Sequence, residues 1–213
     1  MGTPQVYTWP IAVTTAVCAL QSRTGAGALI LNGTLVNTNL SVKTVDFGRI
    51  NRVVSLTSGN DLHLINITIT GTLNGVAQSE TIAGPNVNTV ETTKVFSTIT
   101  SVTTDGTVTA ISLGSGSTGY TDWFTYDKHG SVANLAIAVD ATATVSYSFQ
   151  VTLDDVQGNN SPLTFTPISA MTTASTDQLA NYTAPLNYCR IAMISSDATG
   201  AFVATLLQQG LHS

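Results

Sequence analysis

Charge is the scarcest ingredient of this 213-residue chain: seven Lys and Arg and twelve Asp and Glu amount to 9% of it, for a net charge of −5. Ordinary globular domains carry about 25% charged residues. So few cations exclude a nucleic-acid surface, because phosphate contacts need clustered Lys and Arg. The densest basic group, Lys43, Arg49 and Arg52, reads as scattered surface charge. Cysteine is nearly absent, and Cys18 and Cys189 both sit inside apolar runs. Buried free thiols are the preferred reading there, with a disulfide as the alternative because sequence does not fix their separation. His63, His129 and His212 are far apart and share no metal-ligand spacing. No H-E-x-x-H, C-x-x-C or G-x-S-x-G motif occurs. No catalytic residue, metal ligand or cofactor is nominated, and the chain reads as a non-enzyme.

Long apolar runs are missing too. Residues 11–20 hold Thr14 and Thr15, follow no basic segment, and are too few to span a bilayer. The expectation is no membrane and no targeting segment, so a chain released in the cytoplasm where it is made. Helical periodicity is absent throughout. The polar residues are Thr, Ser, Asn and Gly, and an uncharged polar surface suits a protein packed against neighbours in an assembly.

What is present is strand pattern. Over residues 141–153, Ala143, Val145, Tyr147, Phe149, Val151 and Leu153 alternate with Thr144, Ser146, Ser148, Gln150 and Thr152. A period of two gives a strand with one dry and one polar face, and the dry face must close on a second layer. Further strands are expected at 11–17, 28–31, 34–36, 42–47, 52–56, 62–69, 76–82, 94–103, 108–113, 132–139, 163–168, 186–194 and 200–208. Asn32-Gly33, Asn74-Gly75 and Asp105-Gly106 read as two-residue hairpin turns. Residues 21–27 read as a loop, and one helical turn is expected within 171–182. Many short strands between turn signals predict an all-β, antiparallel β-sandwich or jelly-roll-like fold in two tandem β modules. The expected divisions are 1–27 (N-terminal arm and first strand), 28–119 and 120–213.

Residues 114–119, Gly-Ser-Gly-Ser-Thr-Gly, formally match G-x-G-x-x-G. A dinucleotide site needs a helix starting there, whereas Tyr120-Thr-Asp-Trp-Phe-Thr-Tyr126 follows without helical period. A linker or loop is the reading. The aromatic cluster of Tyr120, Trp123, Phe124 and Tyr126 could stack on sugar rings, although packing in a core or interface is favoured. Trp9 needs a pocket, on its own domain or on another subunit. Asp154-Asp155 with Asn159-Asn160 reads as an Asx-rich turn, since the spacing of a calcium loop is missing.

Residues 67–86, from Ile67-Thr-Ile-Thr-Gly-Thr through Gly84-Pro85-Asn86, then Thr98-Ile-Thr-Ser-Val-Thr103, resemble a repeat-like segment of tailed-bacteriophage virion proteins. The Trp123 segment, the strand ending in Leu153-Asp154-Asp155, and Ala184-Pro185 with Arg190-Ile191 extend the resemblance over most of 62–208. It implies a β-rich virion component, oligomeric, such as a homotrimer, with a major capsid protein or other virion proteins as partners. A capsid decoration or cement protein is expected first. A tail or head–tail junction component, with a host-glycan module at Trp123, is the alternative. Candidate interface residues are Trp9, Trp123, Tyr126, Thr144, Ser146, Ser148 and Gln150. A charge such as Ser148→Lys on the uncharged face is expected to leave the monomer folded and weaken assembly.

Overall fold

β-Branched residues and alternating polarity make strands nearly everywhere along this chain. The computed structural model describes residues 4–125, 135–142, 144–156, 162–183, 186–197 and 199–208. The first strands are β1 (Gln5–Trp9), β2 (Cys18–Arg23), β3 (Gly27–Ala28), β4 (Val36–Asn37), β5 (Thr44–Asp46), β6 (Ile50–Ser58), β7 (Asn66–Leu73), β8 (Val76–Ala83) and β9 (Thr89–Glu91). They are followed by β10 (Thr98–Thr104), β11 (Val108–Thr121), β12 (Phe124–Thr125), β13 (Leu135–Thr142), β14 (Val145–Thr152), β15 (Gln178–Tyr182), β16 (Tyr188–Ser196) and β17 (Ala201–Gln208). One 3-10 turn, Ser169–Met171, is the sole helical piece among the described residues. The fold is all-β, with antiparallel sheets.

Contacts divide the chain into two compact units, Ala12–Ser117 and Met1–Ile11 with Thr118–Ser213. β1 and β2, grouped together in residues 1–27 on sequence grounds, therefore belong to different units.

In Ala12–Ser117 one sheet runs β4-β5-β10-β7-β8, with β3 also on β10, and the other joins β2, β11, β6 and β9. Their inner faces share one core that includes Val45, Leu56, Ile67, Ile69, Ile99 and Ile111. Asn74 and Gly75 take φ of 51° and 79°, as a tight turn between β7 and β8 demands. That turn sets the register from Leu73↔Val76 to Asn66↔Ala83.

The other two hairpin expectations are corrected. β10 and β11 lie in different sheets, so Asp105-Gly106 is a corner. The Asp105 carboxylate there accepts the Asn66 N–H at 2.8 Å and the Asn66 side-chain amide at 2.7 Å. β3 pairs with β10 and β4 with β5, so Asn32-Gly33 joins no hairpin. A Cβ at Gly33 would lie 2.3 Å from the Ala16 backbone, so close approach rather than turn geometry selects this glycine. The strand expected at 11–17 starts instead at Cys18 and takes in residues 21–23 of the stretch read as a loop. Gln21 there takes the Ile30 N–H on its Oε1 and donates Nε2 to the Ile30 carbonyl.

The glycine-rich stretch read as a linker lies inside β11. A Cβ at Gly114 would come 2.0 Å from the Val13 carbonyl oxygen, and one at Gly116 would come 2.4 Å from Val53 Cγ2. Glycine in a strand marks such close approaches as readily as it marks flexibility. Arg52, read as surface charge, is buried. Its Nε and Nη2 both donate to the Gly116 carbonyl, at 3.0 and 2.6 Å. Glu91 adds an attractive charge and accepts Ser117 N–H and Oγ–H.

In the second unit a four-stranded sheet is ordered β1-β17-β13-β15. β16 pairs with β14 on one side and, on the other, with β12 and with Gly119 and Tyr120 of β11. β14 is the strand foreseen in 141–153, and Val145, Tyr147, Phe149 and Val151 are buried as its alternation requires. Rings join the layers: Phe202 of β17 lies 5.7 Å from Trp9 and 5.8 Å from Tyr147, and Phe149 lies 5.9 Å from Tyr182. The other edge of β14 is closed by paired backbone hydrogen bonds to Phe165 and Ala174. The strand expected at 163–168 shrinks to that Phe165 bridge. Asp177, inside the stretch where one helical turn is expected, instead accepts the Ala141 N–H at 2.9 Å and leads into β15.

Candidate interaction site

β16 is largely apolar at its centre, with Arg190 set inside it. A cation in such a strand needs partners, because burying it unpaired costs several kcal/mol (order of magnitude). The pairing supplies them. β14 brings Gln150 opposite Arg190, and β11 brings Tyr120 opposite Ala192. Arg190 Nε donates to Gln150 Oε1 at 2.8 Å. The guanidinium carbon lies 3.6 Å from the centre of the Tyr120 ring and 4.3 Å from the Trp123 ring. Ring quadrupoles attract the cation more strongly when water is excluded. Desolvation lowers the Arg190 pKa to about 10 while Tyr120 acts in the opposite sense, so the group stays charged at neutral pH. The Tyr120 phenol is pushed up by its own burial against the pull of Arg190.

This cluster is a filled cage. One face of both the Tyr120 and the Trp123 ring is occupied by the chain's own guanidinium, leaving no open stacking platform on that side. Among the described residues, the buried Trp123 Nε1 atom has no hydrogen-bond partner. In the sequence, Arg190 enters only through the resemblance. The signal for its role was a lone charge inside an apolar run.

The other nominated residues scatter. Trp9 is 0% exposed and stacked on Phe202, so it fills its own unit's core. Tyr126 lies outside the described residues. Thr144 is exposed, Ser146 and Gln150 are half-buried, and Ser148 is 2% exposed. The uncharged face of β14 is therefore no continuous surface. Ser148 is enclosed by the chain's own fold, which corrects the expectation that a lysine there leaves the monomer intact.

Asp154 Oδ2 accepts the Leu163 N–H at 2.7 Å, the bond of a turn. Asn159 and Asn160 lie outside the described residues. Among the described residues no cluster of three or more His, Cys, Asp or Glu is placed to hold a metal, and no helix is long and apolar enough to cross a membrane. Cys18 and Cys189 are both free and buried, and burial raises both thiol pKa values, that of Cys18 to about 12.

No protein-family model and no curated protein matches the chain.

A different surface emerges from the four-stranded sheet. Its inner residues Tyr7, Phe202, Ile137 and their neighbours are buried, so alternation turns Val6, Val203, Ala138 and Leu179 outward. Val6 is 49% and Leu179 82% exposed. Thr8, Thr205 and Asn181 share this face, and Asp140 is its one acid among the described residues. Exposed apolar area of this kind marks contact surfaces. The sequence pattern hides this surface, because β15 falls within 171–182, where one helical turn is expected.

Proposed function

We propose that this chain is a structural component of a tailed-phage virion, and that it decorates the capsid and cements neighbouring shell subunits by non-covalent contact. The observation that carries the reading is the exposed, nearly uncharged outer face of the β1-β17-β13-β15 sheet, with Val6, Val203 and Leu179 open to solvent. Such a face docks without stripping water from ions, and apolar area supplies about 25 cal/mol per Å² before the costs of association. The phage assignment rests on the sequence resemblance over 62–208. The aromatic cluster adds no chemistry of its own, since its cation is internal.

The test is addition of the purified chain to undecorated tailed-phage capsids. Binding with a raised disruption temperature is expected, and absence of binding at micromolar concentration overturns the reading. A position in the tail or head–tail junction, with host glycan held at Trp123, is the second reading. In its favour, Trp123 remains half-exposed while one ring face holds Arg190. Glycan-array binding lost in Trp123→Ala, with folding intact, would select it.

A further inference from the structure

We infer that β15 is a self-pairing edge, through which two copies of this chain join strand to strand, antiparallel about Ala180. An edge strand turns alternate N–H and C=O groups outward, and monomeric proteins guard such edges with Lys, Pro, bulges or covering chain. Among the described residues, three other edge strands are guarded. Along β8, Lys94 Nζ donates to the Ser79 carbonyl and Gln78 Nε2 donates to the Val95 carbonyl. β14 is bridged by Phe165 and Ala174. β1 is bracketed by Pro4 and Pro10.

β15, Gln-Leu-Ala-Asn-Tyr, has none of these devices among the described residues. It contains no charge and no proline, and its pairing with β13 runs from Leu135↔Tyr182 to Val139↔Gln178 without a bulge. Among the described residues, no hydrogen bond from another segment covers its outer side; the Gln178 side chain reaches only to Thr176 Oγ1.

The strand's own sequence argues for a second copy as the occupant. Antiparallel pairing centred on Ala180 sets Gln178 opposite Tyr182 and Leu179 opposite Asn181 of the other copy. No like charges meet. The two Leu179 side chains, each 82% exposed in the single chain, become diagonal neighbours at about 7–8 Å, within reach of one another. A foreign strand would have to bring an apolar residue to that spot; this chain brings its own. Pairing also joins two copies of the outward apolar face into one eight-stranded sheet. Five paired residues bury well under the roughly 800 Å² per partner of a standard interface. The contact is therefore weak alone and gains strength where copies are held close together, as on a multivalent particle.

The inference stands without any capsid, so its failure is separable from that of the virion reading. Sedimentation of the full chain over a concentration series should show a reversible dimer. Leu179→Lys should raise its dissociation constant at least tenfold with the thermal midpoint unchanged. For a second readout, Leu179→Cys chains are mixed with Asn181→Cys chains under mild oxidation. Directly opposed residues sit about 4.5–5.5 Å apart at Cα, which suits a disulfide, whereas like residues on the diagonal do not. Cross-linked dimers should therefore form in the mixture and in neither variant alone, the native cysteines being buried. A chain that stays monomeric throughout leaves the edge to a foreign strand and overturns the inference. So does a dimer insensitive to Leu179→Lys, or a mixture that fails to cross-link.

Discussion

The Arg190 guanidinium lies over the face of Tyr120, 3.6 Å from the ring centre, while its Nε bonds to Gln150 on the opposite neighbouring strand. One cation thus ties β11, β16 and β14 together. Arg190→Ala empties the space between two rings and leaves the Gln150 oxygen without its donor, at a cost of ~3 kcal/mol in unfolding free energy. Arg190→Met, of similar length and without a charge to desolvate, should cost about 1 kcal/mol or less. Urea unfolding of the three proteins measures both. If the alanine variant is as stable as the parent, the cage is not a structural tie.

Ser148 lies within β14 and Thr144 just before its first residue, Val145, and the two should respond differently to charge. Ser148 is 2% exposed and Thr144 is open to solvent. An ammonium forced in at 148 is buried, two residues along the strand from the position opposite Arg190. Ser148→Lys should therefore lose several kcal/mol (order of magnitude) and yield little folded protein, while Thr144→Lys should stay within about 0.5 kcal/mol of the parent. Thermal unfolding by circular dichroism decides it, and equal midpoints would contradict the burial assignment.

What the sequence made legible was local. Asn74-Gly75 announces positive φ, and the alternation through Val145, Tyr147, Phe149 and Val151 announces a strand with one dry face. What it hid depends on which strands become neighbours. Asp105-Gly106 has the same turn chemistry as Asn74-Gly75, yet the chain changes sheets there. Gly114 and Gly116 look like linker residues because a sequence does not show Val13 or Val53 lying against them. Arg190 acquires its partners from β11 and β14, both distant in sequence, so its role and the exposure of Leu179 required the pairing to be known.

The glycines give a sharp contrast. Gly114→Ala places a methyl group 2.0 Å from the Val13 backbone oxygen, which no side-chain rotation relieves. A loss of ~3 kcal/mol is expected, at the upper end for overpacking. At Gly59 nothing lies within 4 Å of the same added atom, and its φ is not positive. Gly59→Ala should gain ~0.5 kcal/mol by restricting the unfolded chain. Guanidinium unfolding midpoints should move in opposite directions. A stable Gly114→Ala variant would mean that the stretch is the loose linker it resembles.

Tyr147 supplies a pH dependence with a definite sign. Desolvation, with Asp177 as the second cause, raises its phenol pKa from 10.0 to about 12. The folded state thus holds the proton more tightly than the unfolded chain, so the contribution is whole below about pH 10 and disappears as pH climbs through 12. Tyr147→Phe removes this titration while keeping the ring against Phe202. It also removes the hydroxyl's bond to the Thr176 carbonyl. The stability difference between parent and variant should therefore be constant from neutral pH to about pH 10 and then shift against the parent between 10 and 12. Matched denaturant titrations at each pH cancel contributions common to both proteins. A difference that stays flat to pH 12 would show that the phenol ionises alike in the folded and unfolded chains.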